Sequence, residues 1–472
     1  MSRPLSLAAV LLAIAALASG CAGAEETGAT VPESASLAPA DAVAFASITT
    51  DADSDQWKQA DAVLSRVPAL RDGLTGAIAS ELGEQGLDWE TDVAPALGPE
   101  VVVVGTADRH PIVLVQPESD ERLDALLAKV DEQLARAEVD GRVALAEEQA
   151  HLTEYRAALA RGTIENDPEF VDGIEALPAD SLGLVWVDVG AVTDALGPTL
   201  EAFGSSEPFE VGLEWLSAAL SADDDGLLLV LGSRTPGGGD THYEPELFER
   251  VPADSVVAVS FGGTQGVLDR VEGQVDVDGI AGAVEKATGI SLDGVLDALT
   301  GEGVVFVRPG EELPEVTLAL RPPDADKTWT DVDRLIRGLA EDAGATVTTS
   351  TENGVAVSQA TAEGTTVRWA RPEPGLIVVT TGQDVAVLAQ GGETLAESDA
   401  FREAADDAGL GERTKGFAYV DVDGLLPVVE RAAGTDVPPD LEESLGAIDA
   451  VLLQASGDGD TTRVSGFVRV PD

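Results

Sequence analysis

The chain is 472 residues long, enough for two or three domains with cores of their own, so its fold needs no covalent staple. It carries 28 Lys+Arg against 86 Asp+Glu, a formal net charge of −58, and a field of that sign repels nucleic acid and anionic headgroups and argues against a direct role on either. One cysteine, one methionine and three histidines leave no material for disulfide frameworks, thiol redox chemistry or soft-metal sites.

Residues 1–20 read as a lipoprotein signal peptide: Arg3 is the one basic side chain, the apolar run 5–17 is too short to span a bilayer, and small residues lead to Ser19-Gly20-Cys21. Ala18 stands where a lipobox usually has Leu, with Leu17 one place earlier. Cys21 is the expected lipidation site. A diacylglyceryl thioether brings two acyl chains, and at about 0.8 kcal/mol per buried CH₂ two chains hold where one does not. Residues 21–36 are small, polar and acidic, the composition of a disordered tether. The expected location is therefore the cell membrane, lipid-anchored, on its extracytoplasmic side.

From residue 37 short β-branched runs alternate with amphipathic helices. Pro39-Ala40-Asp41 turns into a strand at 42–45, and Ser54 caps a helix with Trp57, Ala60, Val63, Leu64 and Val67 on one stripe. Ala96-Leu97-Gly98-Pro99-Glu100 leads into a strand at 101–104, a second strand at 112–115 ends in Gln116-Pro117, and Ser119 opens a helix carrying Leu123, Leu126, Leu127, Val130 and Leu134. A strand at 184–188 and a hairpin turn at Asp223-Asp224-Asp225-Gly226 complete the set. The same order returns later: Pro252-Ala253-Asp254, then Ala298-Leu299-Thr300-Gly301-Glu302 before 304–307, then 316–320 ending in Arg321-Pro322, a helix with Trp329, Val332, Leu335, Ile336 and Leu339, a strand at 417–421, and a turn at Gly457-Asp458-Gly459 before 464–470. Asn353-Gly354 adds a hairpin. The fold expected is α+β, two tandem homologous halves (37–234 and 243–472) joined by a Gly/Pro linker (235–242), each half a mixed or antiparallel sheet with helices packed on it.

Chemistry is sparse. His110, His151 and His242 are scattered, none stands near a Gly-x-Ser-x-Gly turn, and each reads as a surface residue. Paired carboxylates have no discriminating spacing among so many acids. Asp276-Val277-Asp278-Gly279 with Glu285, and Asp421-Val422-Asp423-Gly424 with Glu430, match the latter part of a calcium loop, but Gln274 and Tyr419 take the first ligand position; Asp51-Ala52-Asp53-Ser54-Asp55 lacks the later Gly and Glu. Asp caps and Asp-Gly turns explain all three, so no metal and no cofactor is expected. Trp57, Trp329 and Trp186 read as core, whereas Trp89 and Trp369, with charged neighbours, are left undecided between core and cleft rim.

The leader, the opening LAPADAVAFASITTDADSDQWKQADAVLSRVP (37–68), LGEQGLDWETDVAPALGPEVVVVG (82–105) and PIVLVQP (111–117) together resemble a family of lipoproteins from high-GC Gram-positive bacteria to which no activity is assigned. The resemblance implies an envelope location and supplies no functional residues. The function expected is a non-enzymatic binding or scaffolding role in the cell envelope, with the membrane and an envelope protein or ligand as partners. A carrier of a small or lipidic ligand between the halves is the alternative, and an envelope hydrolase is third. A scaffold requires an exposed apolar patch, a carrier an enclosed apolar pocket, and a hydrolase a carboxylate or Ser–His cluster in a cleft.

Overall fold

A computed structural model describes residues 28–471 apart from most of 69–85, 107–109, 131–133, 194–211, 238–241, 264–299 and the single positions 312, 363, 390, 391 and 436. Cys21 and the segment 276–285 lie outside the described residues. Of the disordered tether expected over 21–36 the described part, 28–36, is instead ordered on the first unit: Gly28 bridges Pro178, Glu33–Leu37 form a 3₁₀ turn with Ala35 buried, and Ser34 donates to Glu100. The chain forms two compact units: one takes the described residues to Gly237 with 407–409 and everything from Asp460 on, the other 238–406 and 410–459.

The first unit is built on strands β1 (Ala42–Thr49), β2 (Glu100–Thr106), β3 (Ile112–Val115), β4 (Ala135–Val139), β5 (Arg142–Ala146), β6 (Gly183–Asp188), β7 (Trp215–Ala222) and β8 (Gly226–Arg234). They pair antiparallel in the order β4-β5-β3-β2-β1-β6-β7-β8. The second unit has β9 (Val257–Phe261), β10 (Glu302–Arg308), β11 (Glu315–Arg321), β12 (Thr348–Glu352), β13 (Val355–Ala362), β14 (Thr365–Glu373), β15 (Leu376–Thr380), β16 (Gly416–Asp421) and β17 (Ala450–Ser456), antiparallel in the order β12-β13-β14-β15-β11-β10-β9-β16-β17. The fold is α+β. The two orders run in step, β1-β2-β3 answering β9-β10-β11 and β6-β7 answering β16-β17, with four strands in the second unit where the first has β4 and β5.

The last strand, β18 (Thr461–Arg469), lies within the sequence assigned to the second half, yet it pairs with β8 from Thr461↔Arg234 to Arg469↔Gly226 and belongs to the first unit. Without it β8 would present a long bare edge of unpaired N–H and C=O groups. Turn chemistry at Gly457-Asp458-Gly459 announces a strand but not its partner.

Helices α1 (Asp55–Arg66), α2 (Asp120–Lys129), α3 (Gln149–Leu159) and α4 (Pro168–Glu175) serve the first unit. Ser54 accepts from the Trp57 N–H at 3.3 Å and Ser119 from the Arg122 N–H at 3.4 Å, the caps expected of them. The second unit carries α5 (Ala325–Asp342), α6 (Asp399–Asp407), α7 (Val422–Ala433) and α8 (Pro439–Leu445).

Each sheet is covered on one face by aromatics. In the first unit Phe170, on α4, meets Phe45 edge-on at 5.4 Å and Trp186 at 5.3 Å. In the second Phe401, on α6, meets Phe248 at 4.7 Å and Tyr419 at 5.2 Å. Both helices follow a clamp on the Pro-Ala-Asp turn. The Ala40 N–H donates to Gly162 O and the Ile164 N–H to Ala38 O, each at 3.0 Å; the Ala253 N–H donates to Glu393 O at 3.1 Å and the Leu395 N–H to Val251 O at 2.8 Å. The opposite face is covered only in part, and α1 packs against β7 and β8. Leu123, Leu126 and Leu127 of α2 pack on Val101, Val113, Val115 and Leu145, while Trp329, Val332 and Ile336 of α5 pack about Leu320, Ile377 and Trp369.

Candidate functional site

The remainder of that second face is apolar and half-open. Strand alternation and register set Ala46, Val185, Ala218, Leu231 and Val464 side by side across β1, β6, β7, β8 and β18, with Val187 and Leu216 in the next row and Leu220 opposite Leu229. Leu216, Leu231 and Val464 are 41 %, 44 % and 40 % exposed. In the second unit Leu453, Ala418, Val259 and Val305 form one row across β17, β16, β9 and β10, and Val451, Val420, Val257, Val307 and Val316 form another that reaches β11. Here Leu453, Val316 and Val259 are the exposed members. Strands two-sided in apolar composition normally lie between two layers. These have one layer complete and the other partial among the described residues, a contiguous apolar surface of the kind that marks an interaction site.

Carboxylates gather where β6 and β16 run into the following helical turn. Asp188 accepts from the Ala191 N–H and Asp421 from the Gly424 N–H, both at 2.8 Å. The Glu169 carboxyl is pushed above the usual range by burial and then by Glu214, Asp188 and Asp167, and Asp423 is pushed up by burial and then by Asp449 and Asp421. Glu430 accepts from the Val437 N–H at 3.1 Å. The segment 421–430 is thus a helix N-cap followed by helix, with Asp421 and Glu430 engaged by the chain's own backbone. Asp51 likewise caps the Asp53 N–H at 2.9 Å.

A cleft of about 670 Å³ opens beside α2, lined by Ser119, Asp120, Asp124, Arg136, Glu138 and Arg142. Its arginines are already paired, Arg136 with Asp124 and Arg142 with Glu100, so the wall offers no free cation and, with Asp120 and Glu138 also lining it, is net acidic. A smaller cavity of about 290 Å³ is lined by Asp41, Thr106, His110, Ile112, His151, Glu154, Tyr155 and Arg161. The two histidines, expected apart on the surface, are half-buried and stacked face to face with ring centroids 3.6 Å apart and planes 13° from parallel. The hydroxyls on this wall are committed: Thr106 donates to His110 O at 3.1 Å, and Tyr155 donates to Leu37 O, with burial pushing its phenol up. Neither cavity is the enclosed apolar space a carrier requires.

Of the undecided tryptophans, Trp369 is fully buried and donates to Asp333 at 2.8 Å, while Trp89 is half-buried against the core under α2. Trp57 is half-buried and donates to Thr49 O at 2.6 Å. Trp215, which carries no distinguishing neighbours in sequence, is fully buried beside Gly173 and Gly232. Among the described residues no helix is long and apolar enough to cross a membrane.

No family model matches the chain, and no curated protein does. Among solved structures, crystal form IV of TP0453 is similar at 11 % identity over 46 % of this chain and 91 % of that one, with a TM-score of 0.24; crystal form I is similar at 10 % identity over 45 % and 82 %, also with a TM-score of 0.24. Likeness at that level carries no argument about fold or function.

Proposed function

We propose that the protein is a lipoprotein anchored through Cys21 on the extracytoplasmic side of the membrane, where its sheets dock an envelope partner in a non-enzymatic scaffolding role. The observation that carries this reading is the open apolar row Ala46–Val185–Ala218–Leu231–Val464 and its counterpart Leu453–Ala418–Val259–Val305. The acids crowded about Asp188 and Asp421 favour a protein whose contact surface is apolar at the centre and basic around it, since opposite charge steers encounter while the apolar centre supplies affinity. We further propose that the units arose by duplication. The matching strand orders and the paired clamps on Pro39-Ala40-Asp41 and Pro252-Ala253-Asp254 support that origin.

A photoreactive residue at Leu231 in native membranes tests the docking surface. The expected result is one discrete protein adduct that weakens as NaCl approaches about 1 M, where screening acts within about 3 Å, and that is lost in Leu216→Lys and in Cys21→Ala, the latter moving the protein to the soluble fraction. Lipid adducts alone would make the protein a carrier instead, and retention of Cys21→Ala on membranes would remove the anchor.

A further inference from the structure

We propose that the stacked pair His110 and His151 is a pH-sensitive latch holding α3 on its sheet, closed while the pair carries at most one positive charge and opened by the second. The two rings come from separate elements, His110 from the approach to β3 and His151 from the first turn of α3, and they are 3.6 Å apart at 13°. Only three histidines exist in the chain, so two meeting ring to ring in one cavity is a specific feature of this fold.

Three observations set its response. The His151 Nδ1 is buried with no hydrogen-bond partner. An imidazolium has N–H on both ring nitrogens, so charging His151 in place would bury a donor that has no acceptor. The charged groups lining the cavity are Asp41, from the turn before β1, and Glu154 and Arg161, from α3 and the turn beyond it; Tyr155 is the other titratable group on that wall. Arg161 is tied to Asp41 at 2.8 Å, which cancels one charge of each sign and leaves Glu154 as the other charged group on that wall. A second proton then meets the first across 3.6 Å, and the stack relieves that repulsion by parting, which also carries His151 Nδ1 to water. The parted form binds more protons than the stacked one, so docking of α3 strengthens as pH rises and weakens as it falls through the range in which imidazoles gain charge.

Histidine-labelled full-length protein gives the test, by NMR titration and hydrogen exchange between about pH 7.5 and pH 5. In the wild type the stacked rings of His110 and His151 should show coupled two-step curves in place of two independent ones. Across the same range amides of α3 should lose about tenfold more protection than those of α4, after correction for intrinsic exchange, the factor given by one unit of coupling between the two sites. His110→Phe keeps a ring in the stack but cannot charge it, so His151 should then follow one step and the pH response of α3 should shrink to the part that the buried His151 Nδ1 causes alone. Independent single-step titration of both histidines in the wild type overturns the latch, as does an α3 response unchanged in His110→Phe. The wild-type titration decides the matter even if the variant does not fold.

Discussion

Glu100 and Glu302 open the second strand of their sheets, β2 and β10, and their environments drive them in opposite directions. Burial works against the charge of Glu100, but Ser47 donating at 2.5 Å, Ser34 at 2.8 Å and the Arg142 guanidinium together outweigh it and hold the carboxyl below its ordinary range. Glu302 accepts from the Leu247 N–H and pairs with Arg321 at 3.1 Å, yet burial dominates, Glu246 and Glu249 add repulsion, and its carboxyl is pushed up. The folded first unit therefore binds the Glu100 proton less tightly than the unfolded chain does, so Glu100 stabilises at neutral pH and that contribution is lost as pH falls through the carboxylate range. For Glu302 the sign reverses: its ionisation opposes folding at neutral pH, and the opposition fades on acidification. Glu100→Gln should cost about 2 kcal/mol at neutral pH, because the buried hydroxyls and Arg142 lose a charged acceptor, and the deficit should shrink as the pH falls. Glu302→Gln should cost clearly less, since an amide oxygen still serves the Leu247 N–H and Arg321 keeps Glu246 at 2.6 Å. Hydrogen exchange of β2 and β10 amides across the acid range reads both; equal costs with the same pH dependence would refute the assignment.

Two glycines set how each unit turns into that strand. Gly98 closes the short helical turn Ala94–Leu97 with φ +77°, and a Cβ there would sit 1.8 Å from Gln116 O; a Cβ on Gly301 would sit 2.2 Å from Arg321 O. In both units the residue ahead of the second strand passes against the carbonyl of an X-Pro pair at the end of the third, an approach only glycine allows. Gly98→Ala combines that clash with a left-handed φ and should destabilise the first unit by about 3 kcal/mol or more; Gly301→Ala meets the clash alone and should cost less in the second, both measurable by denaturant unfolding. The sequence presents these glycines as a repeated phrase, Ala-Leu-Gly-Pro-Glu and Ala-Leu-Thr-Gly-Glu, because the constraint is local. The caps at Ser54 and Ser119 and the hairpin at Asn353-Gly354, with φ +48° and +85°, are legible for the same reason. What reads poorly is set by distant pairing. Trp369 is undecided in the sequence because Arg368 and Arg371 flank it, but alternation along β14 turns Arg368 to Glu352 on one face while Trp369 enters the core under α5 on the other. The Thr163–Phe170 and Thr394–Phe401 segments share their Thr-to-Phe spacing, a signal present in the sequence that gains meaning only once both clamp a Pro-Ala-Asp turn. Nothing local brings His110 to His151.

At the scale of the whole chain, a net charge of −58 must be carried at the surface, and it sets the conditions under which the apolar faces stay soluble. Ion pairs form among the described side chains, but 28 basic residues cannot neutralise 86 acids, so most carboxylates are left without a cation and repel one another. The upward push on Glu169 and Asp423 is that repulsion acting at two sites, after burial. Screening shortens its reach from about 30 Å at 0.01 M salt to about 3 Å at 1 M, and is indifferent to which cation supplies it. Thermal melts of the full chain should therefore rise smoothly with NaCl, and MgCl₂ and CaCl₂ at equal ionic strength should give the same curve. A dedicated calcium site behaves otherwise. It adds about 2.7 kcal/mol at a hundred times its dissociation constant, saturating only logarithmically thereafter, and does so at concentrations too low to screen anything. Among the described residues no group of three or more His, Cys, Asp or Glu side chains is placed to hold a metal ion. A calcium-selective rise at micromolar concentration would overturn the screening account and direct attention to 276–285, the acidic sequence that lies outside the described residues.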